Sequence, residues 1–221
     1  MSRIVVAEPV LKANDLVAAR TRGLLHDAGV FSFNMMSSPG SGKTSLLVRV
    51  LEELRADYRI LVLVGDIQTE NDARRLRQTG VEAIQIVTGG TCHLEAPLVQ
   101  RHLAGRDLSE LDLLVIENVG NLVCPAGYDL GEDCKVVALS VTEGDDKPEK
   151  YPGIFLRAQA VVLTKTDLLP YVPFDPAVAE RHIRDLSPDV PIFPVSTLRG
   201  DGIGAFTGWI RGRISALPRA R

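Results

Sequence analysis

Residues 31–45 read FSFNMMSSPGSGKTS, and a helical pattern of leucines and valines follows over 46–54. An apolar strand, a glycine-rich turn, Lys-Thr and a helix together form the context that a phosphate-binding loop requires. Glycines in this turn let backbone N–H groups converge on phosphate oxygens, and the helix N-terminus adds partial positive charge. The Lys43 ammonium can reach the outer phosphates of a nucleotide. We therefore predict a nucleotide site formed by Gly40, Ser41, Gly42, Lys43, Thr44 and Ser45.

One position departs from the strict form of this motif. The strict pattern has glycine at position 37, and this chain has Ser37. The alternative interpretation is a chance glycine-rich turn, but the flanking strand and helix favour a phosphate-binding loop.

Composition limits the classes of protein to which the chain can belong. It has 221 residues, of which 45% are hydrophobic, and this is enough for the core of one domain. The net charge of −3 argues against an electrostatic nucleic-acid binder, and we interpret the basic run 74–77 as a solvated helix face. No stretch reaches the length of a membrane span. The three cysteines include no C-x-x-C pair, so we expect reduced cysteines and a cytoplasmic location.

Apolar runs alternate with amphipathic helical segments along the chain. This alternation predicts a three-layer α/β fold of the P-loop NTPase type, with a mostly parallel sheet and helices on both faces. We expect residues 1–221 to form a single domain with an N-terminal helix at about 9–28. The other predicted helices lie at 43–55, 69–79, 93–104 and 202–216, and the strands at 31–36, 60–64, 83–87, 111–116, 135–141, 160–163 and 192–195. Ligands bind where such strands end, so these ends should converge. They carry Gly40, Asp66, Glu117 and Thr164.

The segment Thr164-Lys165-Thr166-Asp167 follows a buried strand and indicates which base is bound. The Asp167 carboxylate can accept two hydrogen bonds from guanine, and the Lys165 stem can lie against the base. The tetrad resembles the Asn-Lys-x-Asp motif of GTPases, with threonine in place of an asparagine that usually steadies neighbouring loops. Ser196 and Thr197 occupy the place of the loop that supports the base. The alternative is a simple Lys–Asp turn.

Acidic side chains end two of the predicted strands. Asp66 and Glu117 can ligate Mg²⁺ with the Thr44 hydroxyl, or orient the attacking water, and Asp72 is a weaker candidate. With Lys43, these two acids form the predicted catalytic set. The alternative for each acid is helix capping or a surface position.

A second kind of metal site is indicated by Cys92 and His93, which we place at the start of a helix, and by Cys124, which follows a strand end. Thiolate and imidazole ligands suit Ni²⁺ or Zn²⁺. Three ligands cannot close a four-coordinate site, but two copies of the chain could share theirs. The alternative is that both cysteines are small buried hydrophobes and His93 caps the helix. Spacing alone does not decide between these. We expect the third cysteine, Cys134, to lie in the core.

The combination of motifs resembles the hydrogenase nickel-incorporation GTPases, the HypB family within the SIMIBI class. The matching segments, in order, are 37–45, 65–69, 91–95, 117–125 and 164–168. The Cys-His and Asn-Leu-Val-Cys-Pro pair is the specific part, and the Cys-Pro-His triplet of the related urease accessory GTPase is absent.

The resemblance implies a GTP-hydrolysing, nickel-handling homodimer that binds GTP or GDP, Mg²⁺ and Ni²⁺ or Zn²⁺. It implies that Cys92, His93 and Cys124 are metal ligands at a nucleotide-dependent dimer interface. The implied partners are a nickel-delivery protein and the [NiFe]-hydrogenase large-subunit precursor. Residues 1–30 contain His26 and no cysteine, so we expect no N-terminal nickel store.

Three points stay open from the sequence. In the polar loop 144–150, Lys147 or Lys150 could reach the partner's nucleotide, or the loop could simply be solvated. The GTPase could serve another nickel enzyme such as urease. It could also be a metal-binding module with a nucleotide-gated dimer switch and negligible turnover.

Overall fold

The computed structural model describes residues 7–66 and 70–218, with side chains described from residue 11 onward. Residue 69, where the sequence predicts the third helix to begin, lies outside these ranges. The helices are α1 (Ala7–Asp27), α2 (Lys43–Leu54), α3 (Asn71–Arg77), α4 (Ala96–Leu103), α5 (Lys147–Lys150), α6 (Pro152–Phe155), α7 (Pro176–Leu186) and α8 (Ile203–Ala216). The strands are β1 (Phe31–Ser37), β2 (Ile60–Asp66), β3 (Glu82–Val87), β4 (Leu113–Glu117), β5 (Cys134–Ser140), β6 (Ala160–Thr164) and β7 (Ile192–Pro194).

The strands form one seven-stranded parallel sheet in the order β3-β2-β4-β1-β5-β6-β7. Strand β1 lies between β4 and β5, with Phe33 aligned to Val115 on one side and to Cys134 on the other. Because all strands run in the same direction, the loops after β1, β2 and β4 leave from the same edge of the sheet.

Alternate side chains of each strand pack on opposite faces of the sheet. In β2, Val62 and Val64 pack in a core with residues of α2, α3 and α8, whereas Leu61 and Leu63 pack with residues of α1 and α4. Helices α6 and α7 cover the far end of the second face. Strands buried on both faces explain why the sequence shows continuous apolar runs instead of alternation. The predicted fold class is confirmed.

The structure corrects three local predictions. Helix α4 begins at Ala96 and not at His93, because Glu95 has an extended backbone and Pro97, which has no N–H, fits only in the first helical turn. The predicted loop 144–150 contains the single turn α5, and helices α6 and α7 were not predicted. Within the part of the chain that the structure describes, none of the helices is long and apolar enough to cross a membrane.

Candidate functional site

The loop between β1 and α2 has the backbone that phosphate binding requires. Gly40 and Gly42 have φ angles of 73° and 95°, in the left-handed region that side chains disfavour. Gly42 is the N-cap of α2, so free N–H groups of the first helical turn point into the loop. Ser45 lies in this first turn, and Ser41 is buried beneath it.

Ser37, which departs from the strict motif, organises the loop. The Lys43 ammonium donates a hydrogen bond to the Ser37 hydroxyl at 2.9 Å, and the Ser41 hydroxyl donates to the same oxygen. Lys43 is buried, and burial lowers the pKa of its ammonium. The serine therefore supplies a polar partner for a buried lysine at the floor of the loop.

The acid at the end of β4 lies directly beside this loop. The Thr44 hydroxyl donates to Glu117 Oε1 at 2.7 Å. Glu117 is fully buried, and desolvation raises the pKa of its carboxyl to about 7, against the opposing effects of Lys43 and Thr44. Its second oxygen, Oε2, is buried and has no hydrogen-bond partner among the residues that the structure describes. An unpaired carboxylate oxygen next to a threonine hydroxyl fits a Mg²⁺ site.

A cleft of about 530 Å³ opens above the loop. Asp66, Asp72 and Arg75 also line this cleft. The Arg75 guanidinium donates to the Ser45 hydroxyl at 2.9 Å and lies 3.8 Å from the Asp72 carboxylate. Arg75 was interpreted as part of a solvated face. It is half-exposed, but it also borders the cleft, a position that its helical spacing from Asp72 could have indicated.

The predicted base-recognition segment contacts the phosphate-binding loop directly. Lys165 has a left-handed backbone, with φ of 59°, and its ammonium donates to the Gly40 carbonyl at 2.6 Å. The Thr164 hydroxyl donates to the Ser41 carbonyl at 2.6 Å. Threonine therefore steadies the loop at the position where the GTPase motif has asparagine.

The Asp167 carboxylate is held by the next loop along the sheet. The Ser196 hydroxyl is buried and donates to Asp167 Oδ1 at 2.6 Å, and it accepts the backbone N–H of Arg199 at 3.1 Å. Thr197 follows in a turn and is half-buried. These residues lie beyond Lys165, which is the member of the segment that lines the cleft.

The three predicted soft-metal ligands come together in space. The ligand atoms of Cys92, His93 and Cys124 all lie within 4.8 Å of one another, although the segments that carry them are about 30 positions apart in sequence. The Cys92 sulfur lies 3.8 Å from His93 Nδ1. The Asn121 amide donates to the Cys124 sulfur at 3.3 Å. All three candidate ligands are half-buried, so an ion could still reach them.

The surroundings of this cluster fix the imidazole. The Tyr128 ring lies against the His93 ring with centroids 3.9 Å apart. Nε2 of His93 is buried without a hydrogen-bond partner among the described residues, and Glu95 Oε1 lies 3.6 Å away. Hydrogen bonding with Cys92, together with burial, raises the pKa of the Cys124 thiol. The alternative that Cys92 and Cys124 are small buried hydrophobes is less well supported, because both are half-buried. Cys134, by contrast, is fully buried in the core.

The two lysines considered for contact with a partner differ in position. Lys147 lies over the Tyr151 ring, 5.2 Å from its centroid, and lines a second cleft beside Pro39. Lys150 is exposed and pairs with Asp146 on the surface of α5. Lys147 is thus the nearer of the two to the phosphate-binding loop.

Comparisons with known proteins show the family to which this chain belongs. The family model described as "CobW/HypB/UreG, nucleotide-binding domain" matches residues 32–194. The chain is 48% identical over 216 residues to the hydrogenase maturation factor HypB of Azotobacter vinelandii. The aligned region covers 98% of this chain and 71% of that protein. The chain belongs to the HypB family.

Two other HypB proteins are also similar to this chain over most of its length. The hydrogenase/urease maturation factor HypB of Helicobacter hepaticus is 43% identical over 213 residues, covering 94% of this chain and 86% of that protein. The crystal structure of HypB from Helicobacter pylori in complex with nickel has a TM-score of 0.86 and 38% identity, covering 95% of this chain and 99% of that one. The P-loop NTPase fold is therefore that of the HypB proteins.

Asn118 and Gly120, like Arg75, line the cleft but were not predicted as site residues. Asn118 lines the cleft directly after Glu117, and Gly120 follows it at the same rim. The signal available for Asn118 was its place at the end of a buried strand, where polar residues reach ligands.

Proposed function

We propose that this chain is a GTP-hydrolysing nickel metallochaperone that assists nickel insertion during [NiFe]-hydrogenase maturation. It acts in the cytoplasm as a homodimer, and residues 1–221 work as a single GTPase domain. The observation that carries the proposal is the cluster of Cys92, His93 and Cys124 beside a phosphate-binding cleft in a HypB-family chain. Membership of the family supports the nucleotide part, and the soft ligand set supports the nickel part.

The nucleotide is bound at three places along the edge of the sheet. The first turn of α2 and the Lys43 ammonium receive the phosphates, and the Asp167 carboxylate, oriented by Ser196, receives the guanine edge. Thr44 and Glu117 would hold Mg²⁺, with Asp66 nearby to bind it or to orient water. When bound, Mg²⁺ neutralises negative charge that develops on the phosphates. Lys43 adds to this as the γ-phosphoryl group departs.

Nickel is the cargo of this protein. The two thiolates and the imidazole of one chain leave a four-coordinate ion short of ligands, and a twofold pair of chains can supply the rest. A site built in this way forms only in the dimer. GTP, by ordering the loops around Asp66 and Glu117, would favour assembly, and hydrolysis would favour release. Zn²⁺ suits the same ligands and would compete for them.

The homodimer needs contacts outside the metal site as well. Lys147, which lines a cleft with Pro39 of the phosphate-binding loop, would reach a nucleotide held by the partner subunit, and Lys150 on the same short helix is the second candidate. The other partners are a nickel-delivery protein and the large-subunit precursor of a [NiFe]-hydrogenase.

A transfer assay tests the proposal. The nickel-loaded protein with GTP and Mg²⁺ is mixed with a nickel-free hydrogenase precursor, and nickel incorporation is measured. Wild-type protein should transfer nickel, whereas Lys43→Ala and Cys92→Ala should not. Cys134→Ala is the matched control, because this buried cysteine lies in the core and not in the metal cluster. Equal transfer by wild type and Cys92→Ala would overturn the metal assignment.

A second destination for the nickel is favoured by one observation. The relative from Helicobacter hepaticus carries urease as well as hydrogenase in its name. A parallel transfer arm with nickel-free urease distinguishes the two, since a hydrogenase-specific protein activates only the first acceptor.

A further inference from the structure

A buried asparagine connects the nucleotide cleft with the metal cluster. Asn118 follows Glu117, lines the cleft and is only 1% exposed. Its Oδ1 accepts the backbone N–H of Leu94 at 3.2 Å and that of Val119 at 2.9 Å, and its amide donates to Asn34 Oδ1 at 3.2 Å. The side chain therefore links the end of β4 to a segment 24 residues earlier in the chain.

Leu94 is the residue next to the candidate ligand His93, and it contacts both Asn118 and Gly65, which line the cleft. Its side chain is fully buried and packs on Gly65, where an added Cβ would lie 2.8 Å from Leu94 Cγ. Gly65 lines the cleft and precedes Asp66. A shift at either strand end is therefore transmitted to Leu94, because a closely packed interior is hardly compressible and transmits strain.

The segment that carries Cys124 also rests on the nucleotide side. Gly120 lies against the phosphate-binding loop so closely that a Cβ there would come within 3.0 Å of the Pro39 Cα atom. One residue later, Asn121 accepts the backbone N–H of Val123 at 2.7 Å and donates to the Cys124 sulfur. Both ligand-bearing segments thus contact the walls of the cleft.

The far ends of the same segments are anchored elsewhere. Asn14 of α1 is buried, accepts the backbone N–H of Ala96 at 2.8 Å and donates to the Asp129 carbonyl at 2.8 Å. This anchor does not touch the nucleotide cleft. Two hydrogen bonds therefore hold the chain just after Cys92 and His93. The one at Leu94 is made to Asn118, which lines the cleft, and the one at Ala96 is made to Asn14, which does not.

We propose that Asn118 is a positioning residue that couples the nucleotide state of the cleft to the placement of Cys92 and His93 within one chain. The inference rests on the proposed function. The surroundings of Glu117 change when a cation and the γ-phosphate are bound, and the backbone of Asn118 moves together with Glu117. The hydrogen bond to Leu94 N–H carries this displacement to the neighbouring His93, while Asn14 holds the other end in place. Nucleotide and metal then differ in affinity for the two arrangements, which is the requirement for coupling.

Nickel titration against a chelating dye tests this coupling. Ni²⁺ affinity is measured with GDP–Mg²⁺ and with a non-hydrolysable GTP analogue and Mg²⁺, at a dimer fraction matched by sedimentation. Wild type should show a ratio of affinities of about 5-fold or more between the two nucleotides. Asn118→Ala and Asn118→Ser should bring this ratio close to one. Asn14→Ala, the matched control, should lower both affinities together and leave the ratio as in wild type, because it loosens the metal segments from the side remote from the cleft.

The possible results separate the inference from the proposed function. If the wild type shows no nucleotide dependence at the matched dimer fraction, no coupling acts within one chain and the inference is overturned, whereas the proposed function fails only if the nickel-transfer assay fails. If the wild type is coupled and the Asn118 variants stay fully coupled, another contact between the cleft and the metal segments carries the coupling and the role of Asn118 is overturned. A measurement on the wild type covers the case in which these variants do not fold. In NMR spectra of nickel-free protein, exchanging GDP for the GTP analogue should shift the Leu94 amide clearly more than the Ala96 amide, and equal shifts would overturn the inference.

Discussion

Replacing Glu117 by glutamine should change the stability of the nucleotide-free protein in a strongly pH-dependent way. The carboxyl is completely buried, and its pKa is raised from the ordinary value of 4.5 to about 7, chiefly by desolvation. Glutamine has nearly the same shape, and its carbonyl can still accept the Thr44 hydroxyl, but it never ionises. The substitution thus removes the buried charge and keeps the hydrogen bond that fixes the side chain.

The magnitude follows from the difference between the two pKa values. Between pH 4.5 and 7 the unfolded chain loses this proton and the folded chain keeps it, so the contribution of Glu117 to stability falls as pH rises. A pKa difference of about 2.5, at 1.36 kcal/mol for each pKa unit, corresponds to about 3 kcal/mol once both states are ionised. Less than about 1 kcal/mol of this loss is present at pH 5, and nearly all of it at pH 8.

Urea unfolding of the nucleotide-free proteins at pH 5 and pH 8 measures this effect. The stability of Glu117→Gln relative to wild type should increase by about 2–3 kcal/mol from pH 5 to pH 8, which equals roughly 5–10 °C in melting temperature for a chain of this size. Glu52→Gln, at an exposed position of α2, is the control and should change stability by less than about 0.5 kcal/mol at either pH. A constant difference between Glu117→Gln and wild type across this range would refute the argument that burial raises the pKa of the Glu117 carboxyl.

Separate measurements test the nucleotide and the metal residues. Asp167→Asn should weaken GTP binding by about 10–100-fold and allow binding of a xanthine nucleotide, whose hydrogen-bond pattern is reversed. In competition binding, equal affinity of the wild type for ATP and GTP would contradict the guanine assignment. Lys43→Ala and Thr44→Ala should each slow GTP hydrolysis by about 100-fold, with partial rescue by high Mg²⁺ only for Thr44→Ala; near-normal turnover of either variant argues against its role. Cys92→Ala and Cys124→Ala should abolish Ni²⁺-induced dimerisation in analytical ultracentrifugation and leave GTP affinity within about twofold of wild type. The metal affinity of the wild type should fall at low pH, because the thiolates are protonated there. If the variants keep full metal binding, both residues return to the role of buried thiols.

The fold could be predicted because its signals are local. The turn around Gly42 and the apolar runs of β2 and β4 each fit within ten residues, and strands buried on both faces leave an unbroken hydrophobic pattern. Helix α7 was missed although Asp175 caps it through two backbone N–H groups and Pro176 opens it, so its start signal was present in the sequence.

The parts of the site that could not be predicted depend on contacts between distant segments. Whether Thr164 supports the phosphate-binding loop is decided by a hydrogen bond to Ser41, which is 123 residues away in the chain. Similarly, the position of Leu94 depends on a hydrogen bond from its N–H to Asn118, which is 24 residues away in the chain. Hydrogen bonds of this kind have no periodicity and no fixed spacing, so the residue types alone do not indicate them.

The order of strands explains why a nucleotide site and a soft-metal site can be coupled in so small a protein. Because β4 lies between β2 and β1, the segments that follow these three strands leave the sheet side by side. The segment after β1 is the phosphate-binding loop, Asp66 ends β2, and the segment after β4 runs from Glu117 to Cys124. Cys92 and His93 then need only one hydrogen bond, at Leu94, to be tied to the same edge. Under the proposed coupling, a change of about one ångström at the γ-phosphate position would reach the metal ligands without a hinge between domains, since the two sites share the backbone of a single strand end.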